Sequence, residues 1–435
     1  MPQNKPLPPE LRKLVDDRFQ NDRERLRHDE AIEILRERVK TIVTPETVPL
    51  EKAAGRILAK PVLSPRNVPL TDNSAMDGYA FAQSSYEATG GFFPVDQRIP
   101  AGHPAEAPLL PGRAARIFTG AVIPEGADTV AMQEDCEAHE QDGKPFVIIP
   151  PGLKKGANIR RAGEDVAEGA ELIPAGGRLR PQEIAAIASV GQAEVTVTRR
   201  LKVAIFSTGD EIVRPGNPIE PGQVYDSNHY LLHALLHCVD VEAEDLGVLK
   251  DKPDLVRAKI QQAAETHNAI LTTGGASKGE EDHLVAALDA LGTRHLWQLA
   301  IKPGRPMNFG QIGDCTMLGL PGNPVAAMVC FLLYVRPVLI AMSGAPWPEP
   351  VRYQIPAAFE IKKKKPDRRE FSRGWLTHDA HGRLCVDKFE RDGSGLITGL
   401  READGLIEIA EETTRVEKGE LVNFIPFTEL GLPGK

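Results

Sequence analysis

Cysteine is scarce and shows no pairing pattern. The 435 residues contain five, Cys136, Cys238, Cys315, Cys330 and Cys385, an odd number without Cys-x-x-Cys spacing. That argues against a disulfide framework and a zinc ribbon, and it fits a reducing cytosol. The chain has no G-x-x-x-x-G-K-[ST] segment, which argues against a P-loop nucleotidase. No Ser, His and Asp order stands out as a nucleophilic triad. Basic charge is not in excess: 52 Lys and Arg against 61 Asp and Glu give a net −9. That argues against general nucleic-acid binding and leaves room for a local anion site. No apolar run approaches an uninterrupted membrane span. The longest, Val325 to Ile340, is broken by Arg336 and Pro337 and reads as a buried helix. The start, Met1-Pro-Gln-Asn-Lys-Pro6, has no apolar core and does not read as a signal peptide.

What is present is a soluble, globular composition, 41% hydrophobic and 26% charged. The length exceeds one ordinary core and predicts about three or four domains. Residues 10–40 place Leu11, Leu14, Val15, Phe19, Ile32, Ile34, Leu35 and Val39 between charges. This predicts one or two amphipathic helices, the second capped by Asp29. Glu51 to Ala59 predicts another short helix. From 60 to 170, prolines and glycines are frequent and apolar runs short: Tyr79 to Phe81, Ala115 to Phe118, Thr129 to Met132, Phe146 to Ile149. That is a turn-rich β-domain. Pro181 to Val190 has proline in its first turn and Gly191 past its end, a punctuated helix, and Glu194 to Thr198 reads as a strand.

From Leu201, strand and helix patterns alternate. Strands are expected at Leu201–Phe206, Val241–Leu249, Ala269–Thr272, Arg294–Ile301 and Thr316–Leu320, with helices at Ser227–Cys238 and Pro253–Thr266, around Leu284–Leu288 and after Pro324. The alternation predicts a doubly wound, mostly parallel sheet. Three strands run into glycine loops, Thr208-Gly-Asp-Glu211, Thr273-Gly-Gly-Ala-Ser277 and Pro321-Gly-Asn-Pro324. In such sheets the carboxyl ends of the strands line the ligand crevice, so a binding site is expected there. The middle loop continues to Glu280, Glu281, Asp282 and the start of a helix. Glycine backbone and helix N–H groups suit an oxyanion, but the acids would repel a bare phosphate. Mg²⁺ between acid and anion reconciles the two. The plainer alternative is a surface turn with a solvated, acidic helix start.

Residues 346–435 return to short strands and turns such as Asp392-Gly-Ser-Gly395, a small β-barrel or sandwich. Gly393-Ser-Gly395 lacks the third glycine of a dinucleotide fingerprint. Lys362 to Lys365 reads as a solvated edge or turn. Arg368, Arg369 and Arg373, near Phe371 and Trp375, are better candidates for an oxyanion grip. His229, His233 and His237 share a helix face, but no acid or cysteine completes a metal set, and a solvated or partly packed face is favoured. Lys278 is open to either reading, an anion contact or a surface charge.

Across these motifs the chain resembles the molybdopterin molybdenumtransferase family (MoeA and the E-domain of gephyrin). The matching segments are Asp72-Asn-Ser-Ala-Met-Asp-Gly-Tyr-Ala80, Arg116-Ile-Phe-Thr-Gly-Ala121, Ile123-Pro-Glu-Gly-Ala-Asp128 and Asn158-Ile-Arg-Arg-Ala-Gly-Glu-Asp165. Phe206-Ser-Thr-Gly-Asp-Glu211, Thr272-Thr-Gly-Gly-Ala-Ser277, Ile301-Lys-Pro-Gly-Arg-Pro306, Leu320-Pro-Gly-Asn-Pro-Val325 and Arg368-Arg-Glu-Phe371 follow in family order. The fold class expected is multidomain α/β plus β: a central doubly wound, mostly parallel α/β sheet, an elongated β-rich domain, a helical and mixed linking domain and a small C-terminal β-barrel. The boundaries expected are an extension at 1–27, a linking and dimerisation domain at 28–60 with 171–200, the β-rich domain at 61–170, the α/β domain at 201–345 and the barrel at 346–435.

The resemblance implies a reaction in which adenylylated molybdopterin and molybdate give molybdenum cofactor and AMP in the presence of Mg²⁺. By the same resemblance, Asp210, Glu211, Asp251 and Asp282 surround pyrophosphate and Mg²⁺, with Asp210, Glu211 and Asp282 as the metal ligands. Ser207, Thr208, Gly209, Gly274, Gly275 and Ser277 cradle the substrate, and Lys302, Arg368 and Ser394 hold molybdate. Pro321 and Pro324 shape their loop. Asp77, Thr119 and Asp165 come from the other subunit of a homodimer. A molybdopterin adenylyltransferase and apo-molybdoenzymes are the implied delivery partners; no nucleic acid and no membrane is expected. Gln298 stands where the family often has lysine, so an anion contact there is weaker or falls to another residue such as Arg305. Two other readings compete. An adenylyltransferase-like enzyme would need neither the barrel nor the long β-domain. A scaffold built on the same dimer remains compatible with the sequence.

Overall fold

The computed structural model describes residues 25–274, 283–391 and 393–435. They form two compact units. One takes the chain up to Glu46, then Gly55–Ala59 and Thr198–Lys435; the other takes Thr47–Ala54 and Lys60–Val197.

In the first unit the sheet runs in the order Glu242–Leu249, Lys202–Thr208, Ala269–Thr273, Cys315–Leu320, Pro306–Ile312, Thr293–Gln298. The first four strands are parallel; Pro306–Ile312 is antiparallel to both its neighbours, so Thr293–Gln298 again runs with the first four. Side chains alternate between two cores, as a period of two requires. Val203, Ile205, Leu271 and Leu318 pack on one face with Leu232, Leu235 and Leu236 of the helix Ser227–His237. Ala204, Phe206, Ile270 and Met317 pack on the other with Val256 and Ile260 of the helix Pro253–Thr266 and Leu284 and Leu288 of the helix His283–Leu291. Both faces are covered, which is why the Ala269–Thr273 strand is apolar at consecutive positions and buried throughout.

Some expectations are corrected. The strand expected at Arg294–Ile301 is two strands: Thr293–Gln298 stays in this sheet, while Ile301–Lys302 pairs in parallel with Arg369–His378 of the barrel sheet. The strand Pro306–Ile312 was not foreseen, because Pro306, Asn308 and Gly310 interrupt its apolar pattern. The first described helix, His28–Arg38, is not capped by Asp29. The backbone N–H of Arg27 donates to Glu30 at 3.0 Å, and Asp29 is engaged by Arg369. The helix expected from Glu51 to Ala59 is only one short 3₁₀ turn, Leu50–Lys52. The helical run Pro324–Met342 has the length and apolarity of a membrane span, 19 residues of mean hydropathy 2.2, contrary to the sequence reading. It is 83% buried inside the core, so its apolarity is explained by packing. Arg336 and Pro337 do not break it. Phe331–Val335 widens into a π-helical turn just ahead of Pro337, where the ring would crowd a regular α-turn.

The C-terminal strands run in the order Tyr353–Pro356, Leu421–Pro426, Gly405–Ile409, Arg369–His378, with Leu384–Lys388 on the far side of Arg369–His378. A bridge between Ala357 and Val386 closes the circuit into a barrel, and Ile355, Phe359, Val386, Ile407 and Phe424 fill it. The lysine run is not simply solvated. Lys364 is buried and its Nζ donates to the carbonyls of Lys365, Ala410 and Glu411 at 3.2, 2.8 and 3.0 Å. Burial lowers its pKa from the ordinary lysine value.

His28 is buried against Tyr334 and Phe371, with Nδ1 2.7 Å from the Tyr334 hydroxyl. Burial first, then the charge of Arg369, lowers its pKa from 6.5 to about 3. Between those values the unfolded chain binds a proton that the folded chain refuses, so this contribution is complete above pH 6.5 and shrinks as pH falls. Urea melts should show about 2 kcal/mol lost between pH 7 and pH 5. In His28→Gln that loss should largely vanish; an equal loss in the variant would discard the assignment.

The second unit is built on strands in the order Thr129–Met132, Gly78–Phe81, Ala114–Ile117, Phe92–Ile99, Lys144–Ile148, Glu137–Gln141. Its cores place Ala80, Ile117 and Val130 on one side and Phe81, Phe93 and Val147 on the other. Gly78 is required at its position, because a Cβ there would collide with the carbonyl of Ala131 on the neighbouring strand.

Candidate functional site

In the first unit the carboxyl ends of the parallel strands are level. Ser207 faces Thr273, Thr273 faces Leu320, and Thr208 faces Leu249. The glycine loops after Thr208, Thr273 and Leu320 therefore start side by side. The Gly274 N–H donates to the Leu320 carbonyl at 3.2 Å. Gly274 has φ +89°, and a Cβ would lie 3.5 Å from the Thr208 Oγ1. Gly209 has φ +133°, and the Glu211 carboxylate lies where its Cβ would be. Both positive φ values favour glycine; Gly274 is partly exposed, whereas Gly209 is buried under the Glu211 carboxylate.

Two strand ends bring acids together. The Asp251 N–H donates to Asp210 Oδ1 at 3.4 Å, and Glu211 follows Asp210. Asp210, Glu211 and Asp251 are exposed, and among the described residues none is paired with a basic side chain. Exposed, uncompensated carboxylates are the donor set Mg²⁺ takes, usually one or two of them with substrate phosphate completing the shell. Among the described residues no three His, Cys, Asp or Glu side chains form a closed metal cluster. Gly275, Ser277 and Asp282 lie outside the described residues.

The same unit also carries a basic group. Pairing of Ile301–Lys302 with the barrel strand puts Lys302 Nζ 3.7 Å from Glu370 and leaves Arg368 Nε 3.2 Å from the other Glu370 oxygen. Lys302 and Arg368 thus approach the same carboxylate from two sides. The two neighbouring arginines do not grip an anion as expected. Arg369 is taken by Asp29, Glu408 and Glu411. Arg373 is buried over Phe389 and donates to the carbonyls of Leu396 and Arg391 at 2.8 and 2.6 Å. It thereby holds the turn that carries Ser394. That turn meets the Pro321–Pro324 loop, since the Val325 N–H donates to the Ser394 carbonyl at 3.0 Å. The loop after Lys302 rests on the same helix: the Cys330 thiol donates to the Gly304 carbonyl at 3.4 Å.

Sequence reasoning missed the residues that brace these loops. Asn228 Nδ2 donates to the Gly322 carbonyl at 2.7 Å. Asp226 accepts the His229 N–H at 3.0 Å, capping the same helix. Arg214 binds Asp245 at 2.7 Å and Asp226 at 3.5 Å, which ties down the segment after Asp210 and Glu211. The Asp-Ser-Asn run before an apolar helix was a visible capping signal; the contact with Gly322 was not. His229 is buried, its Nε2 3.4 Å from Asp245, and burial lowers its pKa. His233 lies tilted behind it and His237 meets His233 edge-on, as helix-face residues.

In the second unit, Asp77 Oδ1 accepts both the N–H and the hydroxyl of Thr119, at 2.8 and 2.7 Å. The Thr119 backbone bond and then its hydroxyl hold the Asp77 carboxyl below the usual aspartate range. Asp165 lies in another turn, its N–H donating to the Val68 carbonyl at 3.0 Å.

Three family regions match in order. They are the MoeA N-terminal region (domain I and II) at residues 26–191, a probable molybdopterin binding domain at 204–341 and the MoeA C-terminal region (domain IV) at 354–427. A molybdopterin molybdenumtransferase of Haemophilus influenzae is 37% identical over 386 residues, 88% of this chain and 94% of that one. The chain belongs to the molybdopterin molybdenumtransferase family. The Bacillus subtilis molybdopterin molybdenumtransferase is 33% identical over 88% of this chain and 90% of its own length. A solved molybdopterin biosynthesis MoeA protein from Pyrococcus horikoshii superposes with TM-score 0.78 at 30% identity, covering 93% of this chain and 99% of that one. The multidomain α/β plus β architecture is thus that of a molybdopterin molybdenumtransferase, and the chain is an enzyme of that class.

Proposed function

We propose that this enzyme transfers molybdate onto the dithiolene of adenylylated molybdopterin, releasing AMP and forming molybdenum cofactor. What supports this reading above all is the side-by-side start of the Thr208, Thr273 and Leu320 loops, with an uncompensated acidic pair on one flank. Such a crevice suits a phosphoanhydride, whose oxygens need donors while its counter-ion needs acids. Asp210 and Glu211, together with Asp282, would hold Mg²⁺, which when bound neutralises charge at the anhydride as AMP leaves. Ser207, Thr208, Gly209 and Gly274 would line the substrate, and Asp251 would keep Asp210 oriented through its N–H. Lys302 and Arg368, sharing Glu370, would attract molybdate, while the Ser394 turn and Pro321–Pro324 would shape its seat.

Asp77, Thr119 and Asp165 would reach the reaction from the partner subunit of a homodimer. In Asp77 the low pKa keeps the carboxylate charged for orienting a donor. An upstream adenylyltransferase would supply the substrate and apo-molybdoenzymes would receive the product, in a reducing cytosol. The test is AMP release from adenylylated molybdopterin with Mg²⁺, with and without molybdate. Molybdate-stimulated release, lost in Asp282→Ala, is expected. A folded enzyme that releases no AMP under either condition would refute the reading.

A further inference from the structure

One face of the second unit's sheet carries an unusual row. Tyr79, Arg116 and Arg98 face one another across three neighbouring strands, Gly78–Phe81, Ala114–Ile117 and Phe92–Ile99. The guanidinium of Arg116 lies 5.2 Å from the Tyr79 ring and 4.7 Å from the Phe118 ring. Arg98 lies 4.7 Å from that same Phe118 ring. Two cations are therefore held on one aromatic side chain.

Neither is ion-paired with a carboxylate, although Arg116 is near enough to Asp77 for its charge to help hold that carboxyl low. Arg116 donates to the Gly78 carbonyl at 3.0 Å and to the Gln133 side chain, both neutral. Arg98 is exposed and, among the described residues, has no hydrogen-bond or ion-pair partner. The nearby Asp96 is paired with Arg113 at 3.5 Å. Like charges held together without an ion-paired counter-charge repel, and the ring contacts that hold them are worth about 0.5–1 kcal/mol each at exposed sites. An anion between them would remove the repulsion. The row adjoins Asp77 and Thr119: Phe118 precedes Thr119, and Arg116 binds the carbonyl of Gly78, next to Asp77. Asp77 does not forbid an anion here, because its charge is already met by two donors from Thr119.

We propose that Arg98, held on Phe118 beside Arg116, is an anion-binding residue for the phosphate of the nucleotide-bearing substrate. The planar guanidinium fork matches a phosphate bidentately, and a flat base can lie along the same aromatic and cationic surface. The inference rests on the reading that Asp77 and Thr119 serve the insertion reaction. Molybdate is a second oxyanion with similar charge, so the test separates the two.

Full-length wild type, R98Q and R98K are titrated calorimetrically with AMP and separately with molybdate, and AMP release is followed in parallel. R98Q should weaken AMP binding about tenfold, the loss of one charge-assisted bond, and leave molybdate binding unchanged. KM for the adenylylated substrate should rise with little change in kcat, and R98K should recover part of the loss. AMP affinity within about twofold of wild type in R98Q, no AMP binding by wild type, or a loss confined to molybdate would each overturn the proposal. Wild type that fails to turn over yet loses AMP binding in R98Q would instead sink the insertase reading and leave the phosphate site standing.

Discussion

Arg369→Leu is expected to cost about 3–5 kcal/mol of stability, near the limit for one substitution. The guanidinium answers three carboxylates at once: Asp29 at 2.7 Å, Glu408 at 3.1 Å and Glu411 at 3.0 Å. Glu408 and Glu411 are almost fully buried. Glu408 keeps Arg352 at 2.7 Å, but Glu411 would lose its only ion-pair partner among the described residues, and its other oxygen already lacks a hydrogen bond. Removing one member of a buried pair leaves a charge that costs more than the pair contributed. Urea unfolding measures the loss. Adding Glu411→Gln to Arg369→Leu should restore part of it, because the stranded charge is gone. No recovery in the double variant would show that shape, not charge, sets the cost.

Asp210→Asn should do the opposite, leaving the fold intact while lowering AMP release about a hundredfold. Asp210 is exposed, and its one contact, the Asp251 N–H at 3.4 Å, is an acceptor role that an amide oxygen can keep. What asparagine cannot supply is the charge that a hard divalent cation requires. The Mg²⁺ concentration for half-maximal rate should therefore rise, with unfolding midpoints unchanged. Turnover within about threefold of wild type at low Mg²⁺ would remove Asp210 from the metal site.

The sequence made the parallel strands and their loops legible because burial on both faces writes itself as continuous apolar runs. The helix Pro253–Thr266 coincides with its expected bounds for a similar reason: proline marks its start and the apolar spacing its length. Partners were less legible than elements. Nothing local distinguishes Arg368 from Arg369; Glu408 and Glu411, about forty residues on, and Asp29, far before, decide that Arg369 is spent. Lys364 looked solvated because its three carbonyl acceptors come mostly from another segment. Ile301 read as the tail of a preceding strand, since a change of sheet leaves no mark in strand propensity. Asn228 drew no reading from the sequence, because its partner Gly322 lies more than ninety residues on.

The crossing of Ile301–Lys302 also limits how this enzyme can be cut apart. A chain ending near residue 345 would seem to free the α/β portion from its barrel at a loop. It would in fact strip Lys302 of Glu370, Pro324's helix of the Ser394 turn, and a short strand of its partner. The barrel is therefore no removable cassette: a shortened form would carry a complete sheet and an unfinished pocket, and grafting a foreign barrel would have to replace that strand as well as the turn.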